Sequence, residues 1–201
     1  FHPAWYLDPS QRPAVLFDLE PALTRFAARF PETEWSAQRM SLQSAQIEAA
    51  LALLPPETVQ RVSRALRASR AISLQPSAAP DSKMVVLAAM EFESAAAALD
   101  YLDAARALAD LKAEHMQSGP LRILASERSE LARPDLSGFL ARIRMRNGAF
   151  EFEMKTLDAA RGSVVVETVF SAEPIEDAAL AALGSELLDA VARLADAPAP
   201  R

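Results

Sequence analysis

The stretch "RIRMRNGAFEFEMK", residues 142–155, carries arginines on alternate positions, then Asn147-Gly148, then glutamates on alternate positions. Alternation with a period of two is typical of a strand, and Asn-Gly is the strongest short-range signal for a two-residue hairpin turn. The stretch therefore predicts a β-hairpin and, with it, an antiparallel sheet.

The register of this hairpin decides what the arginines can do. With Asn147 and Gly148 as the loop, the arginines and the glutamates lie on one face of the sheet. The predicted cross-strand pairs are Arg144 with Glu151, Arg142 with Glu153 and Arg146 with Ala149. Opposite charges across an antiparallel pair contribute roughly 0.2–1 kcal/mol each. We interpret the basic stripe as neutralised by its own partner strand, unlike a nucleic-acid groove, which interleaves unpaired arginines with aromatic residues.

The rest of the chain supplies further strands and several helices. Period-two patterns over 83–93, 121–128 and 163–171 extend the hairpin to a meander of about five strands. Period-3.6 patterns predict a long helix from Ser94 to Met116, a last helix from Ile175 to Ala195, and three N-terminal helices, from Asp18, over 34–54 and over 57–72.

These elements predict an α+β fold, with an N-terminal helical unit before an antiparallel meander that carries one long helix. The predicted divisions are a helical unit with an aromatic lead over 1–74, a linker over 75–82, an α+β domain over 83–197 and a disordered tail over 198–201. The order of one long helix and a meander resembles the cystatin-like layout. The Gln-x-Val-x-Gly stretch is absent, so the resemblance implies no protease inhibition.

The composition excludes several classes of function. The chain has no cysteine, a net charge of −6 and only 5 glycines. Disulfides, thiolate chemistry and phosphate-cradling glycine loops are therefore excluded, and we expect no nucleic-acid binding. The two histidines, His2 and His115, lie far apart in sequence. We expect no cofactor, no metal site and no catalytic residue.

Two features predict contact with a partner protein. Trp5 and Tyr6 lie in the aromatic lead, where exposed rings would serve as interface anchors. Val85, Leu87, Val165 and Val169 alternate with the expected core residues of their strands, so they predict a second apolar face. That face needs a cover: the N-terminal helices, the last helix, another subunit or a ligand. We expect the N-terminal unit, because a short linker tethers it.

The sequence leaves two functional hypotheses open. The first is a non-catalytic binding, sensing or adaptor module of a bacterial envelope or secreted system, with a protein partner or a second copy of the chain. The alternative is a small-molecule acid–base enzyme or carrier with a pocket between the long helix and the sheet, where His115 would serve. A filled seam between that helix and the sheet favours the first hypothesis.

Location is predicted from the first residue and from hydropathy. The chain begins at Phe1 rather than at Met, which is consistent with removal of an export signal, so we expect a periplasmic or secreted protein. A cytoplasmic location is the alternative. No apolar run approaches the roughly 20 residues of a transmembrane helix.

Overall fold

The computed structural model describes residues 19, 24–25, 27–28, 34–40, 44–77, 84–116, 120–131, 136–171 and 176–195. These residues form seven strands and four helices. The strands are β1 (Trp35–Met40), β2 (Leu66–Pro76), β3 (Val85–Phe92), β4 (Leu121–Glu130), β5 (Ser137–Asn147), β6 (Phe150–Arg161) and β7 (Val164–Phe170). The helices are α1 (Ser44–Ala50), α2 (Pro56–Ala65), α3 (Ala95–His115) and α4 (Asp177–Ala195).

All seven strands belong to one antiparallel sheet, in the order β1-β2-β3-β7-β6-β5-β4. The five strands predicted from the sequence, β3 to β7, are contiguous in this order. The predicted α+β class is confirmed, and the sheet gains β2 and β1 beside β3.

The N-terminal part differs from the predicted helical unit because it contributes these two strands. The helix expected over 57–72 ends at Ala65, and Leu66 is already extended. Ile72 and Leu74 are buried at alternate positions of β2 and pack on one face of the sheet. Burial of alternate side chains against β3 outweighs the helix propensity of this stretch.

The region expected to link two domains lies beside continuous sheet. β2 pairs with β3 from Leu66 opposite Phe92 to Leu74 opposite Val85. Backbone hydrogen bonds therefore connect the strands on either side of residues 75–82. Whether the two parts fold as separate domains stays a prediction. The tail over 198–201 lies outside the described residues.

The long helix α3 connects β3 to β4, which lies at the far edge of the sheet. Ser94 caps its first turn by accepting a hydrogen bond from the backbone N–H of Ala97 at 3.1 Å. Lys112 and His115 lie in its last turn, where cations interact favourably with the helix dipole. At 1.5 Å per residue a helix of this size is about 31 Å long, enough to cross several strands.

Helices cover both faces of the sheet. On the side that we call the α3 face, α1, α2 and α3 pack against a cluster that includes Met90, Phe92 and Phe139. On the α4 face, Leu180, Leu183 and Leu187 of α4 pack against strands β2, β3, β5, β6 and β7. The sheet is thus the middle layer, and each face has its own hydrophobic core.

Gly138 is the position where the sheet tolerates no side chain. A Cβ at Gly138 would lie 2.8 Å from Ala159 Cα and closer still to the backbone oxygen of Asp158. Both atoms belong to the backbone of β6, which faces Gly138 in the ladder.

We predict that Gly138→Ala lowers the free energy of unfolding by about 1–3 kcal/mol or more, because relief of the overlap requires displacement of β6. Denaturant unfolding measures this, with Ser137→Ala, at the exposed neighbouring position, as the control. Equal stability of the two variants would contradict the close approach of β5 and β6.

Candidate functional site

The β5–β6 hairpin neutralises its arginines, but in a register different from the predicted one. Its loop residues are Gly148 and Ala149, and Gly148 has φ +60°. Glycine at the first loop position is the requirement of a type II′ turn, whereas the predicted loop needed positive φ at Asn147. The backbone N–H of Gly148 also donates to Pro120 O at 3.0 Å, so the segment before β4 holds the turn.

The new register changes the charge pairs while keeping every side chain on its predicted face. Arg146, expected to face Ala149, faces Glu151 and forms an ion pair with it. Arg144 lies opposite Glu153. The Arg146 guanidinium lowers the pKa of the exposed Glu151 carboxyl through a hydrogen bond and its charge.

Asp177, the first residue of α4, joins the end of this stripe to the helix layer. Lys155 Nζ lies 2.7 Å from Asp177 Oδ1, and Arg142 Nη2 lies 3.3 Å from the same oxygen. The hydrogen bond from Lys155 is the largest cause that lowers the pKa of Asp177. Acids on two neighbouring elements therefore lie against the basic stripe, and the absence of nucleic-acid binding stays our prediction.

The residues predicted to form a second apolar face are divided between the two faces. Val85 lies opposite Phe170 and Leu87 opposite Thr168, and both side chains are fully buried on the α4 face. Val165 is fully buried on the α3 face, and Val169 is half-buried. The expectation that these four residues share a face was wrong. The register of β3 with β7 places Val165 opposite Met90 and not on the side of Val85 and Leu87, and the sequence pattern does not give this register.

The cover over Val85 and Leu87 also differs from the expected one. The last helix, α4, packs on them, together with Leu19 from the N-terminal part. Buried side chains such as these offer a partner protein no surface to contact. Trp5 and Tyr6, the other predicted anchors, lie outside the described residues.

Exposed apolar side chains lie elsewhere, at the turn end of β6. Phe150 is 79% exposed and Phe152 is 38% exposed. Both lie on the α3 face, because Phe152 is opposite Met145, which is on the same side of β5 as the α3-face residues Phe139 and Ala141. β7 ends opposite Lys155, so this end of the hairpin extends beyond its neighbour strand. The alternation of Phe with Glu in "FEFE" predicts that the two rings share a face, but the pattern does not show that this face is exposed here.

Two adjacent carboxylates, one buried and one half-buried, lie beneath α3. Asp158 on β6 and Glu167 on β7 are directly opposite each other, which places their Cβ atoms about 4.5–5.5 Å apart. Asp158 is only 6% exposed, and Glu167 is half-buried. Tyr101 on α3 donates its hydroxyl hydrogen to Glu167 Oε2 at 3.0 Å. Its ring packs against Phe92, with the centroids 5.3 Å apart.

This environment changes the acidity of all three groups. Burial raises the pKa of Asp158 well above its usual range and the Glu167 carboxylate raises it further, against the charge of Arg106. Burial also raises the pKa of Glu167, which the Tyr101 hydrogen bond and the charge of Lys112 lower. Burial raises the pKa of Tyr101 as well. Because adjacent buried carboxylates resist simultaneous ionisation, the pair retains a proton to a higher pH than exposed carboxylates do.

The periodicity of the two strands did not predict this pair. Asp158 interrupts the apolar run "LDAA" and Glu167 interrupts "VVVETVF", and a carboxylate within a buried strand is the available signal. Perturbed carboxylates are typical of acid–base sites, but a catalytic group must also reach a substrate. Neither residue lines the cavities identified in the described part of the chain.

The larger of these cavities is a groove of about 440 Å³ between α3 and β4. It is lined by Ala109, Asp110, Ala113 and Glu114 of α3, Ser126 and Arg128 of β4, and Ala141 of β5. Arg128 Nη1 lies 3.1 Å from Asp110 Oδ1, across the groove. The smaller cavity, about 170 Å³, lies near the start of α3 and includes Leu99 and Arg161.

His115 has the helix-end position expected from the sequence. It is the last residue of α3, its ring is exposed, and Nδ1 lies 2.9 Å from the backbone oxygen of Leu111. It lines neither cavity. Within the described ranges, no cluster of three His, Cys, Asp or Glu side chains could hold a metal ion.

Comparisons with known proteins give limited similarity. No protein-family model matches the chain. No curated protein matches it significantly. Among solved structures, the extracellular domain of PknH from Mycobacterium tuberculosis matches with a TM-score of 0.49 and 14% identity, over 89% of this chain and 93% of that one. The Rv0999 ortholog from Mycobacterium smegmatis matches with a TM-score of 0.46 and 13% identity, over 90% and 98%. Similarity at this level does not transfer either protein's role to this chain.

The carboxylate pair predicts a specific dependence of stability on pH. The folded state keeps the Asp158 proton above pH ~4, where the unfolded chain releases it. The free energy of unfolding therefore falls as the pH rises towards the folded-state pKa, by at most about 1.4 kcal/mol per pH unit for one proton.

We predict that Asp158→Asn raises the melting temperature, and that this gain increases as the pH rises above about 4, the ordinary carboxyl pKa, because only the folded wild type must keep the Asp158 proton. Thermal unfolding across this range measures it, with Glu93→Gln, an exposed carboxylate, as the control. A gain that is the same at every pH would show that Asp158 carries no extra proton in the folded protein.

Proposed function

We propose that the chain is a non-catalytic binding module that contacts a protein partner through the exposed end of the β5–β6 hairpin. The observation that carries the proposal is the exposure of Phe150 and Phe152 on one face of β6. Aromatic side chains are the residue types that most often anchor protein interfaces, because they bury a large area at low entropic cost. No enclosed cavity for a small molecule lies at these rings among those identified in the described residues.

The packing of the long helix supports a non-catalytic role. Ala98 and Leu102 of α3 are fully buried, and Leu108 is nearly so, against the strands beneath. The seam between helix and sheet is therefore filled over this length. His115, which the enzyme hypothesis requires in a pocket, is exposed at the end of the helix.

The acid–base alternative would have to use the Asp158–Glu167 pair instead. The raised pKa values of the two carboxyls are the observation in its favour. Asp158 is buried, and Glu167 already accepts the hydrogen bond of Tyr101, so the pair offers a substrate little access. We therefore assign the pair a structural role and retain the binding function.

The location of the protein is a separate part of the proposal. No helix in the described ranges has the length and hydropathy to span a membrane. A bacterial envelope or secreted setting is the location that we propose for test, with the cytoplasm as the alternative. Fractionation of cells that express the full-length protein tests this location, and recovery in the cytoplasm alone would contradict it.

We predict that Phe150→Ser weakens partner binding about tenfold or more, the typical cost of removing an aromatic anchor. The probe is a set of peptides selected on the wild-type chain from a phage-displayed random library. Leu99→Ser, at an exposed apolar position near the start of α3, is the matched control and should leave binding unchanged. The two variants should also melt within a few degrees of the wild type, since neither side chain is buried.

Failure to select any peptide family, or equal binding by the Phe150 and Leu99 variants, would overturn the assignment of the surface. A dimer of the full chain that Phe150→Ser abolishes would identify a second copy of the chain as the partner. Sedimentation at several concentrations distinguishes that outcome.

A further inference from the structure

The strand β4 ends the sheet, and among the described strands it pairs only with β5. In an antiparallel ladder, alternate residues direct their N–H and C=O groups to opposite edges of the strand. Leu131 donates its N–H to Gly138 O at 3.0 Å, towards β5. Counting back from Leu131, the backbone groups of Ser126, Arg128 and Glu130 are directed away from β5, to the outer edge.

The outer edge is divided by an irregularity of the ladder. Ile123 donates its N–H to Met116 O at 2.7 Å, so the end of α3 occupies the edge at that point. The register shifts between Ile123 and Ala125, which reverses the direction of the residues that follow. The stretch 126–130 thus forms a separate segment of edge, beyond the contact with α3.

The groove beneath α3 lies directly beside this segment. Ser126 and Arg128 form its wall on β4, and Asp110 and Glu114 form the opposite wall on α3. A strand added outside β4 would direct alternate side chains to the α3 face, next to this groove. An edge strand beside a helix, with pockets for alternate side chains, is the geometry of peptide binding by β-strand addition.

Carboxylates outnumber arginines around the groove. Arg106 forms ion pairs with Asp103 at 2.7 Å and with Glu130 at 2.9 Å, and Arg128 pairs with Asp110. Glu114 has no ion-pair partner in the described part of the chain. Among the charged residues that line the groove, the acids Asp110 and Glu114 outnumber Arg128. Beside it, the acids Asp103 and Glu130 share Arg106.

We propose that the outer edge of β4 binds an extended, basic segment of a partner protein as an additional strand, with its basic side chains at alternate positions over the groove. The segment gains backbone hydrogen bonds from Ser126, Arg128 and Glu130, and its charge complements the carboxylate excess. A second copy of this chain fits less well, because edge-to-edge pairing would bring two acidic grooves together. This surface is distinct from Phe150 and Phe152, so the inference goes beyond the proposed function.

The charges and the irregularity on β4 have an alternative explanation. Edge strands commonly carry charged residues and bulges that prevent unspecific pairing with other chains. On that account β4 would reject every added strand, whatever its charge. The comparison of a basic with an acidic peptide separates the two explanations.

The probe is a peptide of about eight residues, long enough for one strand, in which Arg alternates with Val. A peptide with Glu in place of Arg is the matched control. We expect the basic peptide to shift the amide resonances of Ser126, Arg128 and Glu130 in the full-length ¹⁵N-labelled chain and to slow their hydrogen exchange. The acidic peptide should do neither, and raised salt should weaken the binding of the basic peptide.

Ser126→Pro removes one outward N–H while leaving the bonds to β5 in place, since proline is tolerated on the outer edge of a sheet. We expect it to weaken peptide binding about tenfold, and Ser126→Ala, which keeps the N–H, to leave binding unchanged. Circular dichroism verifies that both variants are folded. Glu114→Gln should weaken binding of the basic peptide because it removes one negative charge from the groove. It should leave the stability of the fold unchanged, because Glu114 is exposed.

Three results would overturn the proposal. The first is no binding, or equal binding of the two peptides. The second is an equal affinity of the basic peptide for the Ser126→Pro and Ser126→Ala variants. That result would place the peptide in the groove without strand addition. The third is a dimer of the chain that only Ser126→Pro dissociates, which would make a second copy the occupant. Phe150→Ser should leave all these measurements unchanged, so this test and that of the proposed function fail independently.

Discussion

Strand β3 is buried on both faces of the sheet, so it needs a helix layer on each side. Val85 and Leu87 are fully buried on one face, and Met90 and Phe92 on the other. Complete burial of such a side chain is worth roughly 1.5–3 kcal/mol, so loss of either helix layer would cost a large part of the net stability of a domain. Helices of the same chain cover both faces: α3 follows β3 directly, and α4 follows β7.

The same layering explains how the sheet tolerates two buried carboxylates. Asp158 and Glu167 lie where α3 crosses β6 and β7, so water cannot solvate them fully. Tyr101 supplies one hydrogen bond, and Arg106 and Lys112 supply positive charge from the helix. A retained proton removes the remaining repulsion. The ionisation of the pair is therefore linked to the packing of α3 on the sheet. As the pH rises, ionisation of the two carboxyls disfavours that packing.

The two proposed contact surfaces result from different features of the fold. The β5–β6 hairpin extends beyond β7, which exposes Phe150 and Phe152. On the other side of α3, the distance from the helix to β4 leaves the groove open. Neither surface requires a strained backbone: within the described residues, positive φ occurs only at glycines. The proposed contact surface at Phe150 and Phe152 therefore lies where the hairpin extends beyond its neighbour strand.

Local sequence patterns predict the α+β class, five of the seven described strands, the long capped helix and the charged face of the hairpin. Periodicity, capping and turn residues act between near neighbours, so a local pattern contains them. Four features follow only from tertiary contacts: the extended conformation of β1 and β2, the register of the hairpin, the packing of α4 over β3, and the adjacency of Asp158 and Glu167. Each of these depends on which distant segment lies alongside: β3 makes residues 66–76 extended, and the contact of Gly148 with Pro120 holds the turn. The free energy that selects them comes from burial and hydrogen bonds between segments far apart in the chain, which no local pattern records.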